Sequence, residues 1–119
     1  MDSNIIVKLP IVRFLEYGDR AAAVSKTLSD WIRDILRKAE ETPALREEFK
    51  VINAMTTQGE QWAANEPKSK VFLFRISSEE KAKFKIAAHE THLTFSAWIR
   101  IALYHHVKNN PLPETANEL

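Results

Sequence analysis

Seven residues from Thr27 to Arg33, TLSDWIR, recur as TFSAWIR from Thr94 to Arg100, identical at five positions and displaced by 67. A repeat of this kind constrains the fold more than composition does, because both copies must adopt the same local structure. Carried along the chain without a gap, the same displacement lays Leu36 on Leu103, Ala21 on Ala88 and Tyr17 on Phe84. It lays the run Ile6-Val7-Lys8-Leu9 on Leu73-Phe74-Arg75-Ile76. Two units of 33 residues result, 4–36 and 71–103, in a chain of 119. Each is too small to bury a sufficient core alone.

Each unit predicts a strand followed by two helices. Asn4 to Leu9 and Val71 to Ile76 are short and rich in β-branched, aromatic or other apolar residues, which suits strands. Pro10, and the run Ser77-Ser78-Glu79-Glu80, are helix-start chemistry. A first helix is expected to reach about Val24 in one unit, burying Leu15 or Tyr17 and the alanines. In the other it should reach about Thr91, burying Phe84, Ala87 and Ala88. Thr27 and Thr94 stand where an N-cap is needed. Apolar residues follow at 28, 31, 32, 35 and 36, and at 95, 98, 99, 102 and 103, the spacing of one helical face. Trp31 and Trp98 are therefore core residues. Only two glycines in the whole chain argue against a sheet-rich fold with many tight turns. The expected class is mainly α with a short two-stranded antiparallel β-ribbon.

The domain reading follows: repeat 1 over 1–38, an acidic helical connector over 39–69, repeat 2 over 70–108 and a disordered tail over 109–119, with the repeats forming one folded unit. In the connector, Leu45, Phe49, Ile52 and Met55 share a helical face after Pro43, and Gly59 and Asn65-Glu66-Pro67 mark the return to the second strand. The overall charge of +1 conceals opposite parts. Residues 1–38 carry +2, 39–66 carry −4, 67–110 carry +5 and 111–119 carry −2. The basic stretches coincide with the repeats, which suits an anionic partner.

Strand, helix and Ser/Thr-capped second helix, most clearly in VFLFRISSEE continuing to LTFSAWIRIAL, resemble the ribbon-helix-helix superfamily of the Arc, CopG and MetJ repressors. Two copies in one chain resemble its TraY-like arrangement. The resemblance implies a two-stranded ribbon lying in the major groove of double-stranded DNA, as a transcriptional repressor or a plasmid or phage accessory regulator of relaxosome or partition type. Strand alternation turns Ile5, Val7, Leu9, Phe72, Phe74 and Ile76 inward. Asn4, Ile6, Lys8, Val71, Leu73 and Arg75 then face outward as candidate base readers. Phosphates are expected at the N-termini of the second helices, on Lys26, Thr27, Leu28 and Ser29 and on Thr94, Phe95 and Ser96. Lys68, Lys70, Lys81, Lys83 and Lys85 could add phosphate contacts, while Arg33 and Arg100 suit salt bridges at least as well as DNA.

The outward face departs from the family's mostly polar pattern, since Ile6, Val71 and Leu73 make it half apolar. A second reading follows, a protein-interaction module of antitoxin or accessory type using this face or the connector helix. Strands paired within the chain would make a pseudo-dimer that reads an asymmetric site. Pairing between chains would make a homodimer that favours palindromes; cooperative oligomers on DNA fit either.

No enzyme is expected, since no nucleophile, base and stabiliser assemble into a constellation. Nor is a cofactor or metal: cysteine is absent, and His89 and His92 have no third ligand at suitable spacing. With no cleavage-site pattern and no apolar run of ~18 residues, a cytoplasmic protein with no membrane partner is expected.

Overall fold

The computed structural model describes residues 2–58 and 69–110. Their order is β1 (Asp2–Pro10), α1 (Ile11–Ala23), α2 (Leu28–Glu41), α3 (Ala44–Gln58), β2 (Ser69–Ser77), α4 (Ser78–Glu90) and α5 (Phe95–Asn109). The chain is mostly helical with one two-stranded antiparallel sheet, β1 against β2. Both strands extend beyond the stretches expected from hydrophobicity alone, and α2 continues past residue 38 to Glu41, burying Ala39. Gly59, Asn65-Glu66-Pro67, Lys68 and the tail 111–119 lie outside the described residues, as does the side chain of Met55.

The register carries the most information. Asp2 lies opposite Ser77, Ile6 opposite Leu73 and Pro10 opposite Ser69. Ile6 and Leu73 are also equivalent in the repeat, being 67 apart. A pseudo-two-fold axis relating the repeats therefore crosses the middle of the ribbon.

The core obeys the same symmetry. Tyr17 and Trp31 meet in a tilted contact with centroids 5.5 Å apart and an interplanar angle of 38°, and their equivalents Phe84 and Trp98 at 5.7 Å and 37°. All four rings are buried, beneath an inward ribbon face of Ile5, Val7, Leu9, Phe74 and Ile76, with Phe72 half-buried. In α1 Tyr17, Arg20 and Ala21 are buried; Leu15 lies on the open side of the helix and is 59% exposed, and Ala22 and Ala23 are exposed as well. The repeats interlock rather than stack side by side. α2 packs on β2 and α5 on β1, and α2 meets α5 at the centre. Arg37 of α2 makes a two-pronged ion pair with Glu80 of α4, its second bond 3.1 Å long.

α3 breaks the symmetry, packing along α5. Phe49 is buried, its ring 5.4 Å from that of His105, and Leu45 and Ile52 sit against the core. Glu48 reaches His105 at 2.8 Å, and Arg46 reaches Glu90 at the end of α4 at 2.8 Å. Ile101 of α5 is buried, whereas the matching Asp34 of α2 is exposed.

Burial has a pH consequence at Tyr17, whose hydroxyl is pushed up from 10 to about 12 mainly by desolvation. Between those values an unfolded tyrosine loses its proton while the folded one keeps it. Stability is thus complete below pH 10 and falls as pH rises towards 12, by about 2–3 kcal/mol from this group. Urea unfolding at pH 9 and at pH 11.5 should show a smaller alkaline loss in Tyr17→Phe than in the parent chain.

Candidate nucleic-acid interface

Alternation along the two strands leaves one ribbon face in solvent, with three rows of paired side chains: Asn4 opposite Arg75, Ile6 opposite Leu73, and Lys8 opposite Val71. All six are exposed, and no helix of the described residues covers that side. Ile6, Leu73 and Val71 are 63%, 53% and 58% exposed, an unusual density of open aliphatic surface for so small a face. Lys8 and Arg75 are equivalent in the repeat and stand at opposite ends of the ribbon. They are related by the pseudo-two-fold axis, whereas Asn4 and Val71, also equivalent, differ in chemistry.

The Asn4–Arg75 end is tied to the helices by bonds that cross between repeats. Lys81 of α4 donates to the Asn4 carbonyl at 2.8 Å and to Ser3 Oγ at 3.3 Å. Arg33 of α2 donates to the Arg75 carbonyl at 2.7 Å and also pairs with Asp30. Lys81 and Arg33 thus brace the ribbon. At the equivalent positions stand Phe14, against Phe72 at 6.0 Å, and Arg100, whose Nε is buried without a hydrogen-bond partner. Burial pushes Arg100 below the ordinary arginine value.

The two helix-to-helix turns close with the same pair of bonds. Lys26 N donates to Ala21 O at 2.9 Å and Ser25 N to Ala22 O at 2.9 Å; Leu93 N donates to Ala88 O at 3.0 Å and His92 N to His89 O at 2.9 Å. This 6→1 and 5→2 pattern places Ser25 and His92 in the left-handed region, at φ 59° and 62°. Glycine is usual there, because a Cβ costs about 1–2 kcal/mol in that conformation. After the entropy that glycine adds to the unfolded chain, Ser25→Gly and His92→Gly should each stabilise by about 0.5–1 kcal/mol, read as a higher urea midpoint.

Each turn delivers a capped helix N-terminus. Thr27 Oγ1 accepts from Asp30 N and Thr94 Oγ1 from Ala97 N, both at 3.1 Å. The amides of Leu28, Ser29, Phe95 and Ser96 precede the first residue able to bond within its helix, so they offer donors at the positive dipole end. The two ends differ in charge. At α2, Lys26 is paired with Asp34, and the exposed Asp30 carboxylate is held below its usual range, first by its hydrogen bond from Arg33. At α5, Ala97 replaces Asp30, no acidic residue occupies the first turn, and Lys85 lies 5.8 Å above the Phe95 ring. An anion would meet a more favourable field at Thr94, Phe95 and Ser96 than at Thr27, Leu28 and Ser29.

Three of the lysines expected near phosphates also have contacts within the chain. Lys26 and Lys81 face carboxylate or carbonyl partners of their own chain, and Lys70 lies 5.4 Å above the Phe14 ring. Lys83 and Lys85 remain exposed on α4. Sequence pattern alone does not reveal Arg33 as a brace for the ribbon, since its partner is a backbone carbonyl 42 residues away. Among the described residues no three His, Asp or Glu side chains are grouped to hold a metal ion. No described helix is long and apolar enough to cross a membrane. In comparisons with known proteins, the chain matches no family model, no curated protein and no solved structure.

Proposed function

We propose that this chain is a DNA-binding protein of ribbon-helix-helix type, in which β1 and β2 form one ribbon and the chain acts as its own pseudo-dimer. The ribbon lies in the major groove, whose width of ~12 Å admits two strands. Phosphates are gripped by the N-termini of α2 and α5, with the α5 end the stronger. Control of transcription, or of plasmid or phage DNA processing, is the role such a module serves. The observation that carries the reading is the register, which sets Ile6 opposite its own repeat equivalent and places Lys8 and Arg75 symmetrically on the exposed face. A pseudo-two-fold ribbon with a cation at each end matches the near two-fold symmetry of duplex DNA.

Fluorescence anisotropy with a random duplex over a salt series tests the reading. Affinity should fall steeply with salt, log K declining by about 0.9 per phosphate neutralised for each tenfold rise in salt. Absence of binding at low salt would remove it. The second reading, a protein-interaction module, rests on the apolar exposure of Ile6, Val71 and Leu73. It predicts a stable protein complex with no affinity for duplexes.

A further inference from the structure

The exposed face specifies what kind of DNA sequence it fits, an inference that rests on the DNA-binding reading above. Its three rows extend over five residues of each strand, four intervals of about 3.3 Å or roughly 13 Å, which is about four base-pair steps of the duplex. The middle row is Ile6 and Leu73, with neither donor nor acceptor. In the major groove the only apolar group a standard base pair presents is the thymine 5-methyl. A guanine or cytosine beneath these side chains would lose water from its polar groups and gain no partner. The centre of the site is therefore selected for thymine methyls.

The end rows share one feature and differ in another. Each carries one cation, Arg75 or Lys8, able to donate to guanine O6 and N7. Beside Arg75 stands Asn4, suited to the N6 and N7 edge of adenine; beside Lys8 stands Val71, which can meet only another methyl. Lys81 and Arg33 brace the Asn4–Arg75 end through its carbonyls, so the more discriminating pair is also the better positioned. We infer that the ribbon reads a non-palindromic site with a thymine-methyl centre, a guanine contact on each side, and an adenine contact on the Arg75 side alone.

Selection from random duplexes with the full chain, followed by uracil-for-thymine replacement in the selected site, tests this. Uracil removes the methyl and keeps every hydrogen-bonding group. Central replacement should weaken binding roughly fourfold per methyl. Val71→Asn combined with Lys8→Arg gives both ends the same residues. Both positions are exposed, and an unchanged thermal transition checks the fold. The selected site of this variant should become palindromic. A palindromic site for the parent chain, a G·C centre, or indifference to uracil overturns the inference while leaving the DNA reading intact. No enrichment and no duplex affinity at low salt overturns both.

Discussion

Two peptides covering residues 1–58 and 69–119, prepared separately, are expected to lack any folded monomer and to fold together as a 1:1 complex. Among the described residues β1 has no sheet partner other than β2, so in isolation its backbone donors and acceptors are left to water. The core is shared: Ile5, Val7 and Leu9 lie over the same interior as Phe74 and Ile76, and α2 packs against α5. The bonds from Arg37 to Glu80, from Arg33 to the Arg75 carbonyl and from Lys81 to the Asn4 carbonyl would all be broken by separation. Peptides of this size are marginal even with a complete core. The two-fold register leaves one other route, self-pairing with Ile6 opposite Ile6 or Leu73 opposite Leu73, which yields a dimer. Circular dichroism with mass determination separates these outcomes, and a cooperative melt from either peptide as a monomer contradicts the interlocked fold.

Replacing Lys8 and Arg75 together by alanine is expected to reduce affinity for the preferred duplex by about 2–6 kcal/mol, since each base contact of this type contributes about 1–3 kcal/mol. The two residues occupy opposite end rows of the ribbon, roughly 13 Å apart along it, so their losses should add. Both are exposed, and Arg75 is held through its carbonyl rather than its guanidinium, so stability should stay within ~0.5 kcal/mol of the parent. Discrimination between the preferred and random duplexes should collapse, while residual binding through helix N-termini persists. Equal loss on both duplexes would mean that the two side chains touch phosphates rather than bases.

Much of the architecture is written in the repeat. Strand and helix types follow from hydrophobic period, and the threonine caps at 27 and 94 from their place ahead of an apolar face. The outward placement of Asn4, Ile6, Lys8, Val71, Leu73 and Arg75 follows from alternation alone. Register does not, because alternation assigns faces without saying which residues stand opposite; only the pairing of Ile6 with Leu73 reveals the symmetry. Long cationic side chains were the least legible. A lysine in sequence shows its charge but not its nearest acceptor, and Lys26 and Lys81 find theirs on Asp34 and Asn4. Leu15 is ambiguous in sequence for a related reason: α1 carries apolar residues on more than one side, with Ile11, Val12 and Leu15 all left exposed. The burial of Ile101 is hidden in the repeat altogether, since α3 lies along α5 and the matching residue is Asp34.

Titration of an unlabelled duplex into 15N-labelled protein tests the central claim most directly, because it reports the contact surface residue by residue. Amide shifts should concentrate on Asn4, Ile6, Lys8, Val71, Leu73 and Arg75 and on the first turns of α2 and α5, larger at Phe95 and Ser96 than at Leu28 and Ser29. Shifts confined to α3 and the outer faces of α1 and α4, with the ribbon unmoved, would contradict it.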